Sequence, residues 1–352
     1  MSKNLLKTSF FLFFLISALC QAQETDSTFW NGIGKRGSFG KPFWAEMHSS
    51  LIRAEVAYAT NSPDYDMTGS DSADRAFVFS NLGVDIPIWS GEFDNGRYGL
   101  SFTLPFMIDI FYDYFEPKTS PVINTSYRFG FLDTNFIYRL ASPHPVLPFF
   151  NIYNWSLKLT LLKHESTHIG DELTIYRKDM SFPITRVDVL SNYGELVFTL
   201  NDPDNQSRSN HGFRLGFLVN YNSKYGWYSI LNTEADPDTV EPARFPFEFH
   251  IQYQYQSPYF SRGFQAIVSA EYRLRQRYKY SYSYSGVGPD TYKEHNLVNC
   301  FNFFTGIRYD NRSNNYFSKI GIGARYYFGL NPYGQYRSMP HFRQLGMAII
   351  FE

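Results

Sequence analysis

The sequence predicts an all-β chain that closes into a transmembrane antiparallel up-and-down β-barrel of about 12 strands, with 14 as the next even number. Three observations lead there: an export signal at the N-terminus, an excess of aromatic residues, and apolar–polar alternation at period two through unusually long segments.

Residues 1–22 have the layout of a cleaved signal peptide. Lys3 and Lys7 open the chain, a run rich in Phe and Leu follows from Phe10, and Cys20-Gln21-Ala22 supplies small residues for cleavage. The run is shorter than the roughly 20 residues of a membrane-spanning helix. A lipoprotein anchor at Cys20 is disfavoured by the bulky Leu19 before it. After cleavage only Cys300 remains, which excludes an internal disulfide. A net charge of −1 gives no support to a nucleic-acid partner. The 35 Phe and 28 Tyr, with no second apolar helix, direct the reading to β-structure in water or in an outer membrane.

Alternation favours the membrane. Phe245, Phe247, Phe249, Ile251, Tyr253 and Tyr255 oppose Pro246, Glu248, His250, Gln252, Gln254 and Gln256. Phe264, Ala266, Val268, Ala270, Tyr272 and Leu274 oppose Gln265, Ser269, Glu271, Arg273 and Arg275, and the pattern runs on to Tyr284. Trp155, Leu157, Leu159 and Leu161 oppose Asn154, Ser156, Lys158 and Thr160; Ile320 to Phe328 and Leu345 to Phe351 repeat the theme. Further candidates are 49–60, 76–89, 98–113, 124–138, 191–200, 212–222, 227–232 and 298–309. Strands of about 9–11 residues, apolar outside and polar inside with aromatic ends, are what a barrel in lipid needs. A secreted ligand-binding β-sandwich could share the alternation. Strand length and the terminal Ile349-Ile350-Phe351-Glu352 favour the barrel. Thirteen candidates against an even-numbered rule mean that one candidate is wrong or one strand is missed. Turn residues at Asn61-Ser62-Pro63-Asp64, Asp94-Asn95-Gly96, Asn201–Asn205 and Asp310-Asn311 separate the strands. Residues 23–47 read as a periplasmic lead-in and 48–352 as one barrel.

The densest chemistry is His164-Glu165-Ser166-Thr167-His168-Ile169-Gly170-Asp171-Glu172. His164 and Ser166 offer a base and a nucleophile. His168, Asp171 and Glu172 add binding groups. Zinc fits poorly, because His-x3-His spreads its ligands by about 13 Å in a strand. A turn at Ile169–Asp171 that folds both carboxylates back would suit calcium better, though no cofactor is firmly implied. Arg273 and Arg275 belong to a basic stripe that suits a lumenal ladder with Glu271 and Glu248, or an anion site. Gly32-Ile33-Gly34-Lys35-Arg36-Gly37 lacks the spacing of a phosphate loop.

Parity decides what His164 and Ser166 can meet. Trp155 to Leu161 mark odd positions as outward, so the even-numbered pair should face the lumen. A one-residue bulge after Leu161 would reverse this, and Leu162 beside Lys163 hints that the pattern loosens there.

His164-x-Ser166 at a strand end resembles outer-membrane phospholipase A and the lipid A deacylases. That resemblance implies a histidine base and a serine nucleophile that face lipid, with a polar side chain on a neighbouring strand orienting the histidine. The match covers only His164 and Ser166, and no orienting residue stands out in the sequence. The stretch 164–172, with Asn331-Pro332-Tyr333-Gly334-Gln335-Tyr336-Arg337, also resembles an outer-membrane barrel family known only as a domain of unknown function. Its His-x-Ser-Ser-His-Leu-Gly-Asp-Glu pattern is met here with Thr167 and Ile169 at two places. This implies an outer-membrane location and adds Tyr333 and Gln335 to the candidate binding residues.

With the pair inward, a non-enzymatic barrel with a polar lumen leads, as a narrow channel or a binding protein. With a bulge, a lipid hydrolase using His164 and Ser166 leads. Outer-membrane lipid and the barrel-assembly machinery are the expected partners, and the oligomeric state stays open.

Overall fold

The computed structural model describes residues 43–46, 51–62, 73–112, 122–148, 150–169, 185–202, 210–229, 247–261, 263–276, 297–310, 319–330, 332 and 341–352. The segment read as a signal peptide, most of the lead-in, and the tyrosines beyond 276 lie outside these residues.

Thirteen strand segments are β1(Ile52–Ser62), β2(Ala73–Phe93), β3(Tyr98–Tyr112), β4(Val122–Phe131), β5(Asp133–Leu147), β6(Phe150–Ile169), β7(Thr185–Leu200), β8(Asn210–Ser229), β9(Phe247–Gln256), β10(Phe264–Gln276), β11(Leu297–Asp310), β12(Lys319–Gly329) and β13(Phe342–Phe351). All neighbouring pairs are antiparallel. β1 pairs with β13 from Ile52↔Phe351 to Thr60↔Arg343, which closes the sheet. Closure leaves no unpaired edge and excludes the β-sandwich.

β4 and β5 lie end to end between the same two neighbours. β3 pairs with β4 at Phe106↔Phe129 and with β5 at Thr103↔Asp133. β6 does the same at Leu162↔Phe131 and Leu159↔Thr134. Together they form one stave broken at Leu132, so the barrel has twelve staves. The candidate 212–222 and the described part of 227–232, residues 227–229, both lie in β8, which accounts for the thirteenth sequence candidate.

The strand ends that flank the connections 94–97, 148–149, 201–209, 257–263 and 311–318 lie at one end, beside the start of β1 and the end of β13; those that flank the longer connections 170–184, 230–246 and 277–296 lie at the other. We call these the turn end and the loop end. At the turn end Asn201 ties three strands. Its side chain accepts from the Tyr153 N–H at 2.7 Å and donates to the carbonyls of Asn151 at 2.7 Å and His211 at 2.9 Å.

The burial is inverted relative to a water-soluble protein. Apolar side chains point outward, with Phe131 66% and Leu161 64% exposed, whereas Arg325 is 1% exposed and Lys319 fully buried. A contiguous apolar band of this kind fits hydrocarbon, not water. Inside, charges pair across strands. Arg325 Nη1 donates to Glu55 at 2.7 Å, and Gln344 Nε2 donates to the same carboxylate at 2.6 Å. Lys319 Nζ meets Glu352 at 2.8 Å.

Four residues of the segment assigned to the lead-in also sit in the lumen. Phe43–Glu46 form a turn in which the Glu46 N–H donates to the Phe43 carbonyl at 2.9 Å. Trp44 N–H donates to Gln254 at 2.8 Å, Ala45 N–H to Ser269 at 3.1 Å, and Arg214 donates to Glu46 at 2.8 Å. The Trp44 ring packs where Gly321 has no side chain; a Cβ there would lie 2.1 Å from it. This plug fills the lumen toward the turn end.

Candidate functional site

The inward parity expected for His164 and Ser166 is corrected by the register of β6. Thr160 pairs with Glu195 and Lys163 with Tyr193, so Leu161 and Leu162 together oppose the single residue Gly194 of β7. This is a β-bulge, two residues against one. Both leucines are exposed on the outer wall. Below the bulge Asn154, Ser156 and Thr160 are buried in the lumen; above it Glu165 is buried and Lys163 turns inward. His164 and Ser166 therefore face outward.

The neighbouring stave turns over at the same level. In β4 the buried residues are the even-numbered Ser126, Arg128 and Gly130, and in β5 they are the odd-numbered Asp133, Asn135 and Ile137. Leu132 between them has φ 53°, a left-handed backbone that leucine rarely adopts. Because β4–β5 and β6 each take one extra residue here, their mutual register is unbroken from Asn124↔Ile169 to Arg139↔Asn154. As a result Phe129 lies beside His164 and Tyr127 beside Ser166 on the outer wall.

His164 is held from both sides. On β7, in register with it, Asn192 Oδ1 lies 2.8 Å from His164 Nδ1. With the amide oxygen toward the ring, Nδ1–H donates, and the lone pair sits on Nε2. On β4 the Phe129 ring packs against the imidazole with centroids 4.9 Å apart and planes at 40°. Ser166 follows two residues along the same strand and face, its Cα about 6.6 Å from that of His164 by strand rise. That spacing lets a hydroxyl and an imidazole meet. A hydroxyl, an imidazole and an amide are the groups from which a nucleophile, a base and its orienting partner can be built, the composition of a hydrolytic triad.

Directly behind it the wall is ionic. Arg128 is bound to Asp109 and, at 2.9 Å, to Glu165; Lys163 Nζ lies 2.5 Å from Glu195. These pairs join β3, β4, β6 and β7 beneath the site. A lumenal cleft of about 20 Å³ bounded by Lys163, Glu165, Glu195 and Arg273 has room for about one water.

The other sequence candidates are scattered. His168 lies in β6, in register with Thr125. Asp171, Glu172, Tyr333 and Gln335 are outside the described residues. Arg273 and Arg275 lie in the lumen on β10, Arg273 meeting Glu271 at 2.9 Å and Arg275 meeting Glu248 at 3.8 Å. Among the described residues no group of three or more His, Cys, Asp or Glu could hold a metal. Asp171 and Glu172, the two carboxylates of the calcium expectation, are not among those residues.

Asn192, the partner of His164, was not among the residues the sequence reading singled out. Its signal was available: along β7 the outward face runs Asn192, Gly194, Leu196, Phe198, and an amide on an otherwise apolar face is the anomaly.

No family model matches the chain, and no curated protein matches it. Among solved structures the fold is similar to outer membrane phospholipase A from Escherichia coli, at 11% identity and TM-score 0.43, covering 94% of this chain and 95% of that one. It is also similar to the translocator domain of the autotransporter NalP from Neisseria meningitidis, at 8% identity and TM-score 0.39, covering 86% of each chain. The transport unit of the autotransporter AIDA-I from Escherichia coli matches at 10% identity and TM-score 0.40, covering 89% and 93%. These likenesses concern the barrel fold.

Proposed function

We propose that this chain is an outer-membrane lipid hydrolase that cleaves acyl esters of bilayer lipids at its outer wall. The carrying observation is the bulge at Leu161–Leu162, which turns His164 and Ser166 outward within reach of Asn192. A lumenal lining has no need of an oriented histidine beside a serine on the lipid side.

In this reading His164 Nε2 takes the Ser166 hydroxyl proton as Oγ attacks the ester carbonyl. Asn192 keeps Nδ1–H in place and stabilises the imidazolium that forms. His164 then protonates the departing alcohol oxygen, leaving an acyl-serine. Water, activated by the same imidazole, releases the fatty acid. Phe129, Phe131, Leu161 and Leu162, all exposed around the site, offer an apolar wall for the acyl chain.

The height of the site agrees. Outward rings of Tyr98, Phe136, Tyr138, Trp155 and Phe198 cluster toward the turn end with centroids 5.1–6.3 Å apart, as an interfacial belt does. Outer-membrane barrels carry their short turns on the periplasmic side. On β7 the partners of Trp155 and His164 are Leu200 and Asn192, eight strand steps apart. At about 3.3 Å per step and a tilt of about 40°, that is about 20 Å along the membrane normal, in the far part of an apolar band about 25 Å tall. An ester in the outer leaflet would lie there. A conducting channel is less favoured, because the plug and the cross-strand ion pairs fill the lumen.

The test uses protein refolded in detergent, mixed with outer-membrane phospholipid and with lipopolysaccharide. Fatty-acid release is followed with calcium and with chelator. Release lost in both Ser166→Ala and His164→Ala is expected. Release unchanged in Ser166→Ala, or no release from protein whose heat-modifiable gel mobility shows a folded barrel, overturns the reading.

A further inference from the structure

A second irregularity lies next to the first. β7 pairs with β8 at Asn192↔Asn222 and at Tyr193↔Asn220, which leaves Tyr221 as an extra residue of β8. Its side chain lies on the outer wall, 58% exposed, and reaches across β7. The phenol donates to the carbonyl of Leu161, a bulge residue of β6, at 3.0 Å.

The crossing is possible because the residue between them is Gly194. A Cβ at that position would stand 2.2 Å from the Tyr221 hydroxyl oxygen, 3.0 Å from the ring carbon bearing it, and 3.3 Å from the Leu161 carbonyl. Gly194 is also the residue that faces the two bulged leucines. A bulge leaves backbone groups outside the regular ladder, and on a lipid-facing wall no water satisfies them. Tyr221 supplies a donor to one such carbonyl.

We infer that Tyr221, acting across Gly194, is a positioning residue for the His164–Ser166 pair: it holds the β6 bulge whose existence decides which way that pair faces. This deepens the hydrolase reading and rests on it for its catalytic consequence. The structural consequence stands apart from it. If the bulge relaxes, β6 regains a regular register with β7 and His164 turns toward the lumen.

The test has two independent readouts. The first is hydrolysis by Tyr221→Phe and Gly194→Ala. Tyr221→Phe removes one hydrogen bond and should lower kcat by about 3- to 10-fold with KM unchanged, the size of a typical net hydrogen bond. Gly194→Ala displaces the ring and should lower kcat further. The second readout is a nitroxide on Ser166→Cys in a Cys300→Ala background, in lipid vesicles. Its relaxation by oxygen, which concentrates in lipid, is compared with relaxation by a water-soluble nickel chelate. Oxygen should dominate with Tyr221 and Gly194 intact. Each substitution should add a second, oxygen-protected population. Deletion of Leu162 should convert the whole signal to that state.

Wild-type kcat in both variants overturns the inference. So does a loss of kcat with an unmoved nitroxide, since Tyr221 would then act by another route. Absence of hydrolysis in the parent protein would remove the catalytic reading, and the nitroxide comparison alone would still decide whether Tyr221 sets the facing of the strand.

Discussion

Residues 163–166 of β6 alternate between two environments one strand thick. Inward, Lys163 and Glu165 are buried and ion-paired to Glu195 and Arg128. Outward, His164 meets one amide and one ring, and Ser166 is only partly covered. The inner residues join neighbouring strands, and in the proposed function the outer ones carry the chemistry. Stability and chemistry should therefore separate by parity, and the substitutions below are chosen to break that separation.

The largest effect is expected at Arg128. Replacing it with Ala strands Asp109 and Glu165, both buried, and uncompensated buried charge costs about 3–5 kcal/mol. Urea-dependent refolding into vesicles should read this loss. Ser166→Ala, one residue from Glu165, should move the same curve by no more than about 0.5 kcal/mol. Similar shifts in the two variants would undo the division between faces.

Trp44→Ala tests whether the plug belongs to the inner, structural set. Trp44 is almost fully buried, packs edge-on to Phe304 at 5.5 Å and occupies the space left by Gly321. Its loss should cost about 3 kcal/mol and open a void. In planar bilayers the variant should show a conductance that the parent lacks. A parent that already conducts would mean that the plug leaves its pore open.

On the outer face the next effect is catalytic. Asn192→Ala removes the partner of His164 Nδ1. A hydrogen bond to a group that becomes charged is worth about 1.5–3 kcal/mol, so kcat should fall by about 10- to 150-fold while the refolding curve stays within about 0.5 kcal/mol. A variant that keeps full activity would show that the amide does not orient the ring.

How much of this was legible follows the same alternation. The barrel was readable because period-two runs such as Phe247–Gln256 and Phe342–Phe351 need no tertiary information. The facing of His164 was not, because a bulge leaves two adjacent apolar residues as its only local trace, here Leu161-Leu162. A bulge also lies near the point where β8 was split into two candidates: Tyr221 is the extra residue at the end of 212–222, and Ser223-Lys224-Tyr225-Gly226 separates that candidate from 227–232. Asn192 was an anomaly on an apolar face, but its partner lies 28 positions away on another strand. The plug left no trace, since Phe43–Glu46 carry no periodic pattern and are defined by the cradle that receives them.

The smallest effect tests the second parity switch. β6 turns over by two residues opposing one, whereas β4–β5 turns over at Leu132, held at φ 53°. In a regular strand Gly is less stable than Ala by about 0.5–1 kcal/mol, because it loses more backbone entropy on folding. In the left-handed region the order reverses, since a Cβ there costs about 1–2 kcal/mol. Leu132→Gly should therefore refold more stably than Leu132→Ala by about 1 kcal/mol. The same pair of substitutions at Phe136, on a regular stretch of β5, should give the opposite order. Using Ala as the reference removes the leucine side chain from both comparisons, so the sign reports the backbone alone. If Ala were the more stable at both positions, Leu132 would not be left-handed in the folded wall. The register of β4 against β6, and with it the contact of Phe129 with His164, would then need another origin.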